Sequence, residues 1–343
     1  MKRNIYLDYL RGLSAIAVML YHYTTRYDQL FGHTTDYPVF FQYGSYGVLV
    51  FFLLSGYLTF GRIEKYKLES FIVKRFKKLY PSYWIAMIVT AVATYFMLPE
   101  LSVSLKDFFL NFSMIQMYLG AKNVDGAYWT LSCELFFYFF IYLICLSKVK
   151  CIKAILIWFV FQIVLLLLPP PVVQNGMVIL LKKFNDLLYF HCFMVGGLIS
   201  IIEQKMMCKP NNSRRLFEIA GLIVLCLFFI SQQFISHEFS SGVFFIISTL
   251  LLSMSVLLYD KRILLPSFLY KLLMPIAWFA VLSYPFYLLH QNLGYIIIKS
   301  MESFGLVNEL YLIIPFTIIL LLAYALYKIV EEPIVSNSIK KRI

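Results

Sequence analysis

The sequence predicts an all-α, polytopic membrane helix bundle of about ten transmembrane helices, with N- and C-termini both cytoplasmic. Three observations predict it. The 343 residues are 61% hydrophobic and only 14% charged, with a mean hydropathy of +0.77, whereas soluble domains run near 25% charged. Apolar stretches close to the ~20 residues needed to cross a bilayer recur from one end to the other. With the N-terminus placed in the cytoplasm, inward-facing segments hold 23 of the 30 Lys and Arg residues and outward-facing segments hold 6. That asymmetry is the positive-inside pattern. The net charge of +12 is therefore topology plus attraction to anionic lipid, and nucleic acid is excluded as a partner.

The first span, 5–24, is no cleavable signal peptide, because no small-residue cleavage site follows it and Arg11 interrupts it. The second span covers 44–61. A basic cytoplasmic loop, 62–79, leads straight into the third span, 80–98. The outer loop 99–126 contains Phe108–Ile115, an apolar run too short to cross, which either lies at the interface or re-enters. Spans follow at 127–147, 152–169, 179–202, 216–235, 241–259, 275–298 and 309–330. In the outer loop 174–183, Lys182 and Lys183 break the positive-inside trend. They mark either an anionic ligand or a sixth helix that starts beyond Phe184. Without internal repeats or linkers, 1–343 reads as a single integral membrane domain with no appended soluble module. The six cysteines lack the paired spacing of a disulfide framework or a metal site, so no metal is expected.

Ionisable residues inside a span are costly and mark function by default. Arg11 and His22 are eleven residues apart, three turns of helix, so they share a face roughly 16 Å apart. A neutral imidazole can take a proton from a hydroxyl. The guanidinium fork of Arg11 suits a phosphate or carboxylate, unless it is spent on Asp8 one turn away. Arg75 and Lys78, three apart on a helical turn, can straddle one phosphate. Glu134 lies about two turns into its span, at a depth resembling that of His22, where it could orient the imidazole. Tyr284, Tyr287 and His290 form one stripe around Pro285, a proline that frees a backbone carbonyl and can open a cavity. His191 has no polar partner nearby in sequence and reads as a packing histidine.

Together these blocks resemble the acyltransferase-3 family of integral membrane O-acyltransferases. The matching pieces are Asp8-Tyr-Leu-Arg11-Gly12 through His22, Gly47 through Phe51-Phe52 to Ser55-Gly56-Tyr57, the Arg75 block, Tyr128-Trp129-Thr130-Leu131 with Glu134, and Ser283-Tyr284 with His290. The resemblance implies transfer of an acyl group, usually acetyl from cytoplasmic acetyl-CoA as cosubstrate, to a hydroxyl of an extracytoplasmic or lipid-linked glycan. It implies a multi-pass protein of the inner (plasma) membrane. The family's essential arginine and histidine correspond to Arg11 and His22. Its two-arginine motif appears here as Arg75 with Lys78, and lysine keeps the charge but loses the bidentate fork. His22 and Glu134 are the expected catalytic residues. Arg11, Arg75, Lys78, Tyr284 and His290 are expected to bind substrate, with Arg75 and Lys78 taking the CoA phosphates. Some members carry an appended hydrolase-like domain, so this chain is expected to act alone or with a separate partner. The rival reading is a transporter or flippase of a lipid-linked sugar, which usually shows inverted repeats that are not visible here.

Overall fold

The computed structural model describes residues 4–33, 39–62, 68–147, 149–167, 189–207, 213–236, 238–260, 266–306, 311–334 and 336. Lys182 and Lys183 lie outside the described residues. All regular structure among the described residues is helical: α1 (Ile5–Tyr21), α2 (Tyr27–Phe31), α3 (Gly47–Phe60), α4 (Leu68–Met97), α5 (Leu105–Asn111), α6 (Trp129–Ser147), α7 (Cys151–Leu167), α8 (Phe190–Met207), α9 (Ser213–Ser236), α10 (Phe239–Asp260), α11 (Ser267–Ser303) and α12 (Ile313–Leu326). A π-helical turn, His22–Arg26, continues α1.

Six helices among the described residues are long and apolar enough to cross a membrane: Phe41–Phe60, Ser70–Met97, Gly126–Ser147, Phe239–Tyr259, Ser267–Ser303 and Ile313–Ile334. That is fewer than the expected ten, for identifiable reasons. The first expected span is helical, but Asp8 and Arg11 dilute its hydropathy. The apolar parts of α7 and α9 are short, Cys151–Val164 and Ile219–Ser231. The first half of the expected sixth span lies outside the described residues.

The chain divides into two compact units. The first comprises Met1–Val48, Ile72–Ser132 and Leu264–Ile343, and is organised around α11. At 37 residues, α11 is about 55 Å long, well beyond the ~30 Å hydrocarbon core. Gly12 of α1 lies against Ile276, and a Cβ there would strike the Ile276 carbonyl. Further along, His22 meets His290, and Tyr27 meets Glu302. Contacts that rise together in both helices mean that α1 and α11 run parallel. The α4 helix runs the same way, since Tyr284 reaches the Leu79 carbonyl and Lys299 reaches Glu100 just beyond Met97. The α12 helix runs antiparallel, with Tyr311 at Glu302 and Tyr324 at Trp278.

The stretch from Leu98 to Asp125 folds back down α4. Asn111, Phe112 and Ser113 offer their carbonyls to Tyr83 Oη (2.7 Å), Trp84 Nε1 (3.1 Å) and Tyr80 Oη (3.0 Å). Those three side chains lie 13 to 17 residues before Met97, or roughly 20–25 Å along the helix. The segment thus re-enters. Irregular backbone at such depth must have its polar groups met by protein, and the buried Asn111 meets several. Its amide donates to the Asp107 and Lys122 carbonyls and accepts from Val124 N. Met114 is buried in a left-handed conformation, φ +63°, with its carbonyl accepting from Ser132 Oγ at 2.7 Å.

The second unit, Leu49–Phe71 and Cys133–Ile263, packs α3, α6 and α8 through close backbone approach and aromatic stacking. Cβ atoms on Gly56 and Gly196 would strike the carbonyls of Phe193 and Leu53, and Phe137 stacks on Phe193 at 4.2 Å. A buried polar chain joins α8, α9 and α10: His191 hydrogen-bonds Gln233, which donates to Ser241 Oγ at 2.5 Å. His191 is therefore more than a packing residue, because its partner comes from another helix.

Gly12→Leu should destabilise the α1–α11 seam by about 1–3 kcal/mol or more and lower the melting temperature in detergent. Gly221→Ala, in α9 with nothing within 4 Å of the new Cβ, should be neutral or stabilise by up to about 1 kcal/mol.

Candidate active site: an imidazole pair beneath a re-entrant segment

Six of the seven residues singled out from the sequence fall in the first unit: Arg11, His22, Arg75, Lys78, Tyr284 and His290. They are ordered along α11. Next to Arg11, Gly12 marks the level of Ile276; next to Lys78, Leu79 marks the level of Tyr284; the histidines come next. Arg11 and Arg75 are half-buried and Lys78 is exposed. Lys78 also interacts electrostatically with Glu331, whose carboxylate accepts from Ser82 Oγ. Tyr284 spends its hydroxyl on the Leu79 carbonyl at 2.7 Å, so it acts as a strut between α11 and α4.

His22 and His290 share a hydrogen bond of 3.0 Å between His22 Nδ1 and His290 Nε2. Their other contacts assign the protons. His290 Nδ1 lies 2.8 Å from the Tyr287 carbonyl, a pure acceptor, so Nδ1 carries the hydrogen and Nε2 of the neutral ring is an acceptor. His22 Nδ1 faces that acceptor and the Val18 carbonyl at 2.9 Å, so it too must be protonated. His22 Nε2 is left with a bare lone pair, and it has no hydrogen-bond partner among the described residues. The result is a base whose tautomer is set by a second group, the logic of a catalytic triad with an imidazole in the acid's place. His290 is 1% exposed, while His22 is half-buried.

The segment before α6 grips α11 around this pair. Tyr128 Oη donates to the Leu288 carbonyl at 3.0 Å, and the Asn292 backbone N–H donates to Asp125 Oδ2 at 2.9 Å. These are the two ends of one helical rung. Asn292 Nδ2 returns to the Val124 carbonyl at 2.9 Å, and Thr130 Oγ1 pairs with Tyr287 Oη at 2.8 Å. Gly126 packs against the end of the Gln291 side chain, which a Cβ there would force to shift. Asp125 is fully buried, and its carboxylate accepts from the Asn292 and Ala127 N–H groups. The sequence reading missed Asp125 and Asn292. The signal available for Asp125 was its place as the cap of the Gly126–Tyr128 turn.

Glu134 belongs to the second unit. Its Oε1 accepts from Ser55 Oγ at 2.8 Å and from Tyr138 Oη, while Oε2 has no partner among the described residues. Among the described residues no cluster of His, Cys, Asp and Glu could hold a metal ion.

A family model described as an acyltransferase domain matches residues 4–328. The chain belongs to the acyltransferase-3 family. It is also 29% identical over 137 residues to ORF330 of Acidianus two-tailed virus, a protein named as an acetyltransferase. That match spans 39% of this chain and 39% of the viral protein. No solved structure matches the chain.

Selective 15N labelling of histidine should show Nδ1–H tautomers for both His22 and His290, and His290→Leu should alter the His22 signals.

Proposed function

We propose that this member of the family moves an acyl group, acetyl in the first instance, from cytoplasmic acyl-CoA to a hydroxyl of an extracytoplasmic or lipid-linked glycan across the inner (plasma) membrane. The observation that carries this reading is the open Nε2 of His22, left unprotonated because its Nδ1–H is held by His290 and the Val18 carbonyl. His22 Nε2 takes the proton of the acceptor hydroxyl as that oxygen attacks the thioester carbonyl. The C–S bond then breaks, and the imidazolium returns the proton to the departing thiolate. A relay also balances: Nε2 attacks the thioester, the thiolate leaves, and the acceptor oxygen displaces the imidazole from the acyl carbon as its hydroxyl proton passes to the departed thiolate.

The cationic side chains fit the donor. Arg75, Lys78 and Arg11 are suited to the phosphates of an acyl-CoA, and all lie in the same unit as His22. The eleven-residue offset between Arg11 and His22 asks a thioester arm to cover roughly 16 Å. Glu134 stays in the proposal as a second functional carboxylate, held through Oε1 with Oε2 available. The orienting role expected of it toward His22 is one that His290 already fills.

The test is transfer of label from isotopic acetyl-CoA to glycan in membranes. His22→Ala should lose about 100-fold or more of the rate, the typical contribution of a general base. His290→Gln, which keeps an acceptor for His22 Nδ1–H, should retain more activity than His290→Leu. Arg75→Ala should raise KM for acetyl-CoA about tenfold, roughly one charge-assisted hydrogen bond, with little change in kcat. Absence of label in wild-type membranes supplied with acceptor would overturn acyl transfer and favour movement of a lipid-linked sugar instead.

A further inference from the structure

A carboxylate with no solvent exposure is an expensive way to anchor a loop. Desolvating the charge costs several kcal/mol unless donors replace water, and Asp125 has two backbone N–H groups, from Ala127 and Asn292, both at 2.9 Å. The Ala127 bond is a local cap. The Asn292 bond is different. It reaches across 167 residues to the middle of α11, two residues beyond His290, where a helical amide ordinarily has a carbonyl four residues back. Tyr128 holds that carbonyl, Leu288, two residues before His290. Asn292 Nδ2 closes a second bond onto Val124, and Gly126 packs against the end of the Gln291 side chain. The grip therefore brackets His290 on both sides, at Leu288, Gln291 and Asn292.

We propose that Asp125 is a positioning residue for the imidazole pair. It fixes the rotation and height of α11 so that His290 Nε2 stays 3.0 Å from His22 Nδ1, and it acts on the chemistry only through that distance. The inference rests on the acyl-transfer reading for its kinetic consequence but not for its structural one. The role is separate from that of the lower struts of the re-entrant segment. Trp84 also holds this segment, through the Phe112 carbonyl, and its ring contacts among the described residues are to Phe76, Tyr80 and Phe112.

The experiment compares full-length wild type, Asp125→Asn and Trp84→Phe in the same detergent or nanodisc. Asp125→Asn keeps the shape and one acceptor oxygen but turns an NH2 toward one of the two N–H groups. Its expected signature is a folded protein whose kcat for labelled acetyl transfer falls about 100-fold, as small misplacements of a reacting group do. KM for acetyl-CoA should be unchanged, and the 15N ring signals of His22 and His290 should shift. Trp84→Phe, which loses the bond to the Phe112 carbonyl, should lower stability while leaving kcat and the ring signals as in wild type. Unshifted ring signals in folded Asp125→Asn, or equal shifts in both variants, would overturn the proposal and leave Asp125 an ordinary anchor. If Asp125→Asn does not fold, Asp125→Ser is read in its place, and Asn292→Ala, which removes the Val124 bond but keeps the backbone N–H to Asp125, should leave the ring signals as in wild type. Wild-type protein with no transferase activity would sink the functional reading, and the ring signals would still decide the clamp.

Discussion

The parallel seam between α1 and α11 sets the position of everything else in the first unit. Its closeness comes from Gly12, where even a methyl group would strike the Ile276 carbonyl. In a membrane, small residues that let backbones approach are a principal source of helix association, because burying apolar side chains gains little against lipid. Once the two helices are in register at that level, the spacing of each sequence carries His22 to His290 and Tyr27 to Glu302. Slipping one helix by a residue would rotate it by about 100° and separate the rings.

The second constraint is that polar backbone away from water has to find partners inside the protein. The segment from Leu98 to Asp125 meets it by fastening to α4 through Tyr80, Tyr83 and Trp84 and to itself through Asn111. Its far end then presents Asp125, Gly126 and Tyr128 to α11. The left-handed Met114 sits at the turn between these two halves, a conformation that costs energy for a residue with a side chain. That cost is offset by the surrounding hydrogen bonds, including the Ser132 bond to its carbonyl.

Much of this was legible in the sequence because it depends on helical periodicity. The shared face of Arg11 and His22, the stripe of Tyr284, Tyr287 and His290, and the membrane class all follow from the 3.6-residue repeat and the charge distribution. What was not legible depends on register between distant segments. The hydrogen-bonding partner of His22 is 268 residues away, and matched depth, the argument that pointed to Glu134, does not reveal it. Asp125 looks like a loop residue until Asn292 is seen beside it. Residues 108–115 were ambiguous between surface and re-entry because their apolar length fits both. Three hydrogen bonds from α4 decide it. His191 misled for the same reason, its partner Gln233 lying on another helix.

Both rings of the imidazole pair are oriented by carbonyls of their own helices, Val18 four residues before His22 and Tyr287 three residues before His290. Neither needs a third side chain to choose its tautomer. Moving the His22 proton to Nε2 would set a bare Nδ1 against the Val18 carbonyl, so the arrangement has a built-in polarity. The chemistry is thereby insulated from the walls that surround it. Side chains lining the approach can be exchanged for others over evolutionary time, broadening or narrowing what is admitted, without disturbing which nitrogen is left open.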